Sequence, residues 1–230
     1  MRATRGRGAG EAVVRSGDAH VTVRIATRGS DLALAQAERV ANLVRERLGR
    51  DSERIVLKTT GDRIQSVSLA AIGGKGLFVK EIEEALLDGR ADVAVHSAKD
   101  LPATIAPGCV LAAFPERADA RDALVARRPG TTLAELGAEA RVGTGSVRRE
   151  AQLRRARPDL QIVPLRGNVP TRLRKLEEED LDAVILACAG LDRLGLDGRI
   201  SERIDPRWML PAVCQGILAL ETRAVDPLAA

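Results

Sequence analysis

Aromatic side chains are almost missing from this chain. Its 230 residues hold only Phe78, Phe114 and Trp208, and no tyrosine. Without them there is no stacking platform for single-stranded bases, so the formal charge of +4 does not point to nucleic acid. Histidine is equally scarce, at two residues, and no Ser-His-Asp or Cys-His set is apparent. No metal site is expected. Cys109, Cys188 and Cys214 lie far apart without C-x-x-C or metal-ligand spacing, which fits a reduced, cytoplasmic setting. No apolar run reaches the roughly 18 residues that a membrane span requires, so no membrane partner is expected. Residues 1–20 are rich in Arg, Gly and Ala but lack the apolar core of a secretory signal. They are expected to form a disordered extension, or to follow from an over-called start.

Hydrophobic content of 45% suffices for real cores, and the mild basic excess leaves acidic metabolites as the natural partner. The segment V-H-S-A-K-D-L-P (95–102) is a short apolar strand running into a Lys-Asp pair and a proline-marked loop. Arg28, Arg148, Arg149, Arg166, Arg172 and Arg193 each stand where an apolar stretch meets a turn. One carboxylate, Asp100, facing a set of arginines suits a site that binds a small polyacid and moves protons on it. An ion pair of Asp100 with Lys99, or a loop-stabilising Asx turn, explains the local sequence about as well.

Strand and helix signals alternate. Residues 21–27 read as a strand. Ser30 then caps a helix whose apolar residues Leu34, Ala37, Ala41, Val44 and Leu48 recur at helical spacing. Further strands are expected at 55–57, 92–95 and 109–114, with a helix marked by Phe78, Ile82, Ala85 and Leu86. A long polar connection, 61–76, precedes that helix. After a charged crossover at 115–122 the alternation restarts. Strands are expected at 123–126, 140–143, 160–165 and 183–187. Helices are opened by Ser146 and Asn168, the first ended by Pro158. The expected fold is α/β: two domains with mainly parallel sheets and an inter-domain cleft, where ligands collect at strand ends. The divisions are a 1–20 extension, 21–115 plus 216–230 as the first domain, and 121–212 as the second.

The local motifs are weaker singly. G-G-K-G-L-F (73–78) is not a Walker A loop, because Gly76 follows Lys75; it is a flexible lead into a helix or a place where Lys75 meets an anion. G-T-G-S-V-R-R (143–149) begins like a dinucleotide fingerprint, but Arg148 occupies the third glycine position. Paired guanidinium forks there suit a carboxylate or phosphate, against a solvated helix face as the alternative. R-G-N-V-P-T-R (166–172) and Arg193, after the strand–turn at 183–190, repeat the placement. His96 is read as packing or capping a strand end.

Taken together, R-I-A-T-R-G-S (24–30), G-G-K-G-L-F-V-K-E-I-E (73–83), V-H-S-A-K-D-L-P, G-T-G-S-V-R-R, L-R-G-N-V-P-T-R-L-R-K-L (165–176), A-G-L-D-R-L-G-L (189–196) and L-P-A-V-C-Q-G (210–216) closely resemble the porphobilinogen deaminase, or hydroxymethylbilane synthase, family. The resemblance implies periplasmic-binding-protein-like domains and a transferase that joins four porphobilinogen units with loss of ammonia. It implies that Asp100 is the catalytic carboxylate, holding the pyrrole N–H and stabilising a cationic azafulvene-like intermediate. Arg28, Ser30, Lys75, Lys99, Ser146, Arg148, Arg149, Arg166, Arg172 and Arg193 match positions that bind acetate and propionate groups of the dipyrromethane cofactor and growing chain. Residues 61–76 match a flap over the cleft.

The chain departs from the pattern at Ala71, where many relatives have lysine, at Gly145, where many have serine, and at Cys214, where glycine is usual. The family's third domain, with its cofactor-attachment cysteine, is not found in this sequence. The implied protein is a monomer acting on porphobilinogen, with the third domain lost or supplied separately. The alternative is a non-catalytic cleft-binding protein for polycarboxylate pyrroles or similar anions.

Overall fold

The computed structural model describes residues 22–60, 79–226 and 228. The expectations for residues 1–20, the connection 61–76, Lys75 and Ala71 fall outside the described residues. β1 (Val23–Arg28) leads into α1 (Asp31–Leu48). Ser30 Oγ accepts from the Ala33 amide at 3.3 Å to start the helix, and Gly49 in left-handed geometry ends it. The buried stripe Gln36, Ala37, Val40, Ala41 and Val44 places α1 on one face of the first sheet, against Ile25, Val93 and Val95. Opposite it, α2 (Lys80–Leu87) packs Ile82, Ala85 and Leu86 on Ala26, Ala94 and Cys109.

That sheet has the order β2-β1-β3-β10-β4, with β2 at Ser52–Leu57, β3 at Val93–Ser97, β4 at Cys109–Ala113 and β10 at Leu218–Arg223. The second sheet, β7-β6-β8-β5-β9, uses β5 (Asp122–Ala126), β6 (Arg141–Thr144), β7 (Gln161–Pro164), β8 (Ala183–Ala187) and β9 (Glu202–Arg203). Helices α3 (Val147–Ala156), α4 (Val169–Glu178) and the short α5 (Cys188–Arg193) cover it, burying Leu153 on one face and Leu173, Leu176 and Leu191 on the other.

Both sheets are mixed in their pairings. β10 runs antiparallel to β3 and β4, and β5 runs antiparallel to β8 and β9, while the remaining pairs are parallel. In each sheet the reversed strand is the one that arrives from the other sheet. A chain crossing directly enters at the ends where the neighbouring strands stop, so it must run against them. The other difference from expectation is α5: the residues after β8 form a helix rather than a turn. Among the described residues no helix is long and apolar enough to cross a membrane.

Candidate functional site

β3 stops at Ser97, and a single 3₁₀ turn, Ala98–Asp100, follows it. The Ala98 amide donates to the Ile217 carbonyl at 3.0 Å, tying this turn to the chain that enters β10. Asp100 is exposed and lines a cavity with Arg28 and Ser30. A second cavity adjoins it, sharing Leu32, Gln36 and Ser97. Lys99 lines it from the first sheet's side, and Arg149, Arg172 and Arg193 line it from the second. Three other sequence-predicted residues do not line these cavities. Ser146 caps α3, accepting from the Arg149 amide at 3.4 Å. Arg166 is exposed. Arg148 spans from Asp122 to the Leu210 carbonyl.

Sequence reasoning missed the group that organises the arginine pair. Asp122, at the start of β5, is fully buried. Its Oδ1 accepts from Arg149 Nε at 3.1 Å and Nη2 at 2.7 Å, and its Oδ2 accepts from Arg148 Nη2 at 2.7 Å. Arg149 Nη1 also donates to the Ile185 carbonyl at 2.9 Å, so most of that guanidinium is committed to protein. Gln215, 1% exposed, joins the halves of the site. Its Nε2 donates to Asp122 Oδ1 at 2.9 Å and to the Ala120 carbonyl at 2.7 Å, while its Oε1 accepts from Lys99 Nζ at 3.3 Å. Burial alone would push the Asp122 carboxyl up; Arg149, Gln215 and Arg148 hold it below the usual range.

The remaining cations are answered differently. Lys99 meets the Gln215 amide oxygen, Arg172 Nε the Gly167 carbonyl at 2.8 Å, and Arg193 Nη2 the Gly216 carbonyl at 2.7 Å. Among the described residues none of these three forms an ion pair with a carboxylate. Burial lowers the pKa of all three. Asp100 opposes that shift in Lys99 and Arg172, whereas Arg149 adds to it; beside Arg193, Arg39 adds to it. Half-buried cations bonded only to neutral oxygens are poorly compensated and favour an incoming anion.

The two departures within the described residues also have a structural setting. A Cβ at Gly145 would overlap the Leu165 carbonyl oxygen, so a serine there needs the turn to shift. Cys214 stands in left-handed geometry, φ 60°, where glycine carries no steric cost.

Residues 23–230 match the family model described as "Porphobilinogen deaminase, dipyromethane cofactor binding domain". Curated porphobilinogen deaminases from a Roseiflexus species and from Sorangium cellulosum are each 56% identical to it, over 89% and 88% of this chain and 68% and 67% of their own length. That of Syntrophomonas wolfei is 52% identical over 88% of this chain and 66% of its own length. The chain thus spans about two thirds of the length of these relatives. A periplasmic substrate-binding protein of an ABC transporter from Coxiella burnetii superposes with a TM-score of 0.52 at 16% identity, covering 90% of this chain and 88% of that one. A nutrient binding protein from Burkholderia cenocepacia superposes with a TM-score of 0.51 at 13% identity, again over 90% and 88%. The fold is therefore periplasmic-binding-protein-like, and the chain belongs to the porphobilinogen deaminase family.

Proposed function

We propose that this chain supplies the substrate cleft and catalytic carboxylate of a hydroxymethylbilane synthase, condensing four porphobilinogen units with loss of ammonia in tetrapyrrole biosynthesis. One observation carries the reading: Lys99, Arg172 and Arg193 line a cavity with no carboxylate partner among the described residues, beside a second cavity that holds Asp100. A guest bearing several carboxylates satisfies the cations. Its pyrrole N–H satisfies the acid.

The same residues fit the dipyrromethane for which the family domain is named, since that group also carries acetate and propionate chains. Arg28, Lys99, Arg172 and Arg193 would hold the carboxylates, with Arg149 at the wall. When bound, the cofactor supplies the primer on which the product is built. Asp100, exposed at the end of its turn, accepts the pyrrole N–H and offsets positive charge developing on the substrate as ammonia leaves. Lys99 beside it, drawn toward Gln215, orients a carboxylate rather than neutralising Asp100. We also place the protein in the cytoplasm as a monomer; its three cysteines are unbridged.

The test pairs calorimetry with an ammonia-release assay on the 230-residue chain mixed with porphobilinogen. Asp100→Asn should keep affinity within about threefold, because the cations remain, and lose about 10²-fold or more in ammonia release. Release at an unchanged rate would move the chemistry to another residue. Binding with no release from the unaltered chain would favour the non-catalytic binder of polycarboxylate pyrroles.

A further inference from the structure

Behind the Asp100 turn lies a buried pair that the proposed chemistry leaves unused. His96, four residues before Asp100 on β3, is 7% exposed and lines the Asp100 cavity. The antiparallel register sets Ala219 opposite His96, so Glu221, two residues farther on β10, projects from the same face. Glu221 is fully buried, and its Oε2 lies 2.9 Å from His96 Nε2. The approach is close but not aligned as a hydrogen bond, and neither Glu221 oxygen has another hydrogen-bond partner among the described residues.

The groups facing this pair do not replace it. Glu83 on α2 accepts from the Ala106 amide at 2.8 Å, and burial holds its carboxyl above the usual range. The Cys109 thiol on β4 is pushed up to about 11 by burial and by Glu221, so it stays neutral. Arg223 on β10 is turned to the Leu86 and Ala91 carbonyls, at 2.7 and 2.6 Å. A buried carboxylate without a counterpart is costly. Among the described residues the imidazole is the one cationic or ring-nitrogen group set against Glu221, with the neutral Cys109 thiol beside it.

A carboxylate at Nε2 favours the tautomer with its hydrogen on that nitrogen and leaves Nδ1 as a lone-pair acceptor. Nδ1 has no partner among the described residues and, unlike Nε2, is not enclosed. An imidazole fixed from behind by a buried carboxylate presents its other nitrogen in a set direction. We propose that His96, oriented by Glu221, is a ligand-contact residue of the Asp100 cavity. Its Nδ1 accepts a hydrogen bond from an N–H of the bound pyrrole, on the ring or on the aminomethyl arm. This rests on the porphobilinogen reading and deepens it: the cations take the carboxylate end of the guest, and Asp100 and His96 take the N–H end.

The chain has two histidines, so His20→Ala leaves a single imidazole to observe. In that variant, labelled with ¹⁵N-histidine, porphobilinogen should move the Nδ1 resonance upfield as it accepts the N–H, with Nε2 nearly still. Calorimetry on the same samples reports binding. His96→Asn places an oxygen near the Nδ1 position, and His96→Gln places one near Nε2. The Asn variant should bind within about threefold of the unaltered chain and the Gln variant about tenfold more weakly, the size of one neutral hydrogen bond. Binding with Nδ1 unmoved, or equal losses in the two variants, overturns the contact and leaves the porphobilinogen reading standing. Absence of any binding overturns both. The labelled His20→Ala arm stands even if a His96 variant fails to fold.

Discussion

Arg149 directs Nε and Nη2 to a single oxygen of Asp122, at 3.1 and 2.7 Å, with both side chains withdrawn from solvent. Removing the acid strands two guanidiniums, those of Arg148 and Arg149, at one strand end. Asp122→Ala should therefore cost about 3–5 kcal/mol of stability in urea denaturation. A loss below about 1 kcal/mol would mean that water replaces the pair, contrary to its burial.

The crossover between β4 and β5 carries its own acid-labile link. Asp119 accepts from Arg121 Nη2 at 2.7 Å and from Arg203 Nη1 at 3.0 Å. The Arg121 hydrogen bond, outweighing burial, holds its carboxyl down at about 2, below the ordinary aspartate value of 3.8. Because the folded value is depressed, the stabilisation is whole above pH 3.8 and is lost as pH falls toward about 2. Asp119→Asn should flatten the stability profile across that window in acid titrations followed by circular dichroism. A profile unchanged from the parent would assign the acid transition elsewhere.

Cys214 has the opposite defect, a side chain in a backbone region that penalises one. Cys214→Gly should raise stability by about 0.5–1 kcal/mol, or roughly 1–4 °C in Tm for a chain of this size. Scanning calorimetry reads this directly. A lower Tm would show that the side chain's contacts outweigh its backbone cost.

Lys99 should make anion binding fade early on the alkaline side. Burial, the leading cause, lowers its pKa, and Arg149 adds to this against the opposing pull of Asp100. Its positive charge is therefore lost at lower pH than that of a surface lysine, and affinity for a polycarboxylate falls as pH rises through that value. Lys99→Arg, which stays charged, should remove the alkaline decline in calorimetric titrations. An identical decline in both proteins would assign it to another group.

Local signals carried most of the secondary structure. Ser30, Ser146 and Asn168 each cap the helix that follows, and the spacing of Ala37, Ala41 and Val44 put α1 on its sheet. The run A-V-I-L-A-C-A-G-L has no polar break, so nothing in its pattern divides β8 from α5. Among residues lining the candidate cavities, those carried by their own motif, such as Asp100 and Arg172, were legible. Those defined by a distant partner were not: Asp122 meets Arg149 27 positions away and Gln215 93 positions away. An aspartate closing a charged crossover looks the same whether it faces water or a buried guanidinium.

β10 carries a consequence for biosynthesis. It lies between β3 and β4, so the first sheet lacks the strand that joins β4 to the rest until Leu218–Arg223 emerges from the ribosome. The second sheet needs nothing beyond Arg203. During vectorial synthesis the later half can thus close before the earlier one, and β3 and β4 wait with bare edges for a strand made at least a hundred residues after them.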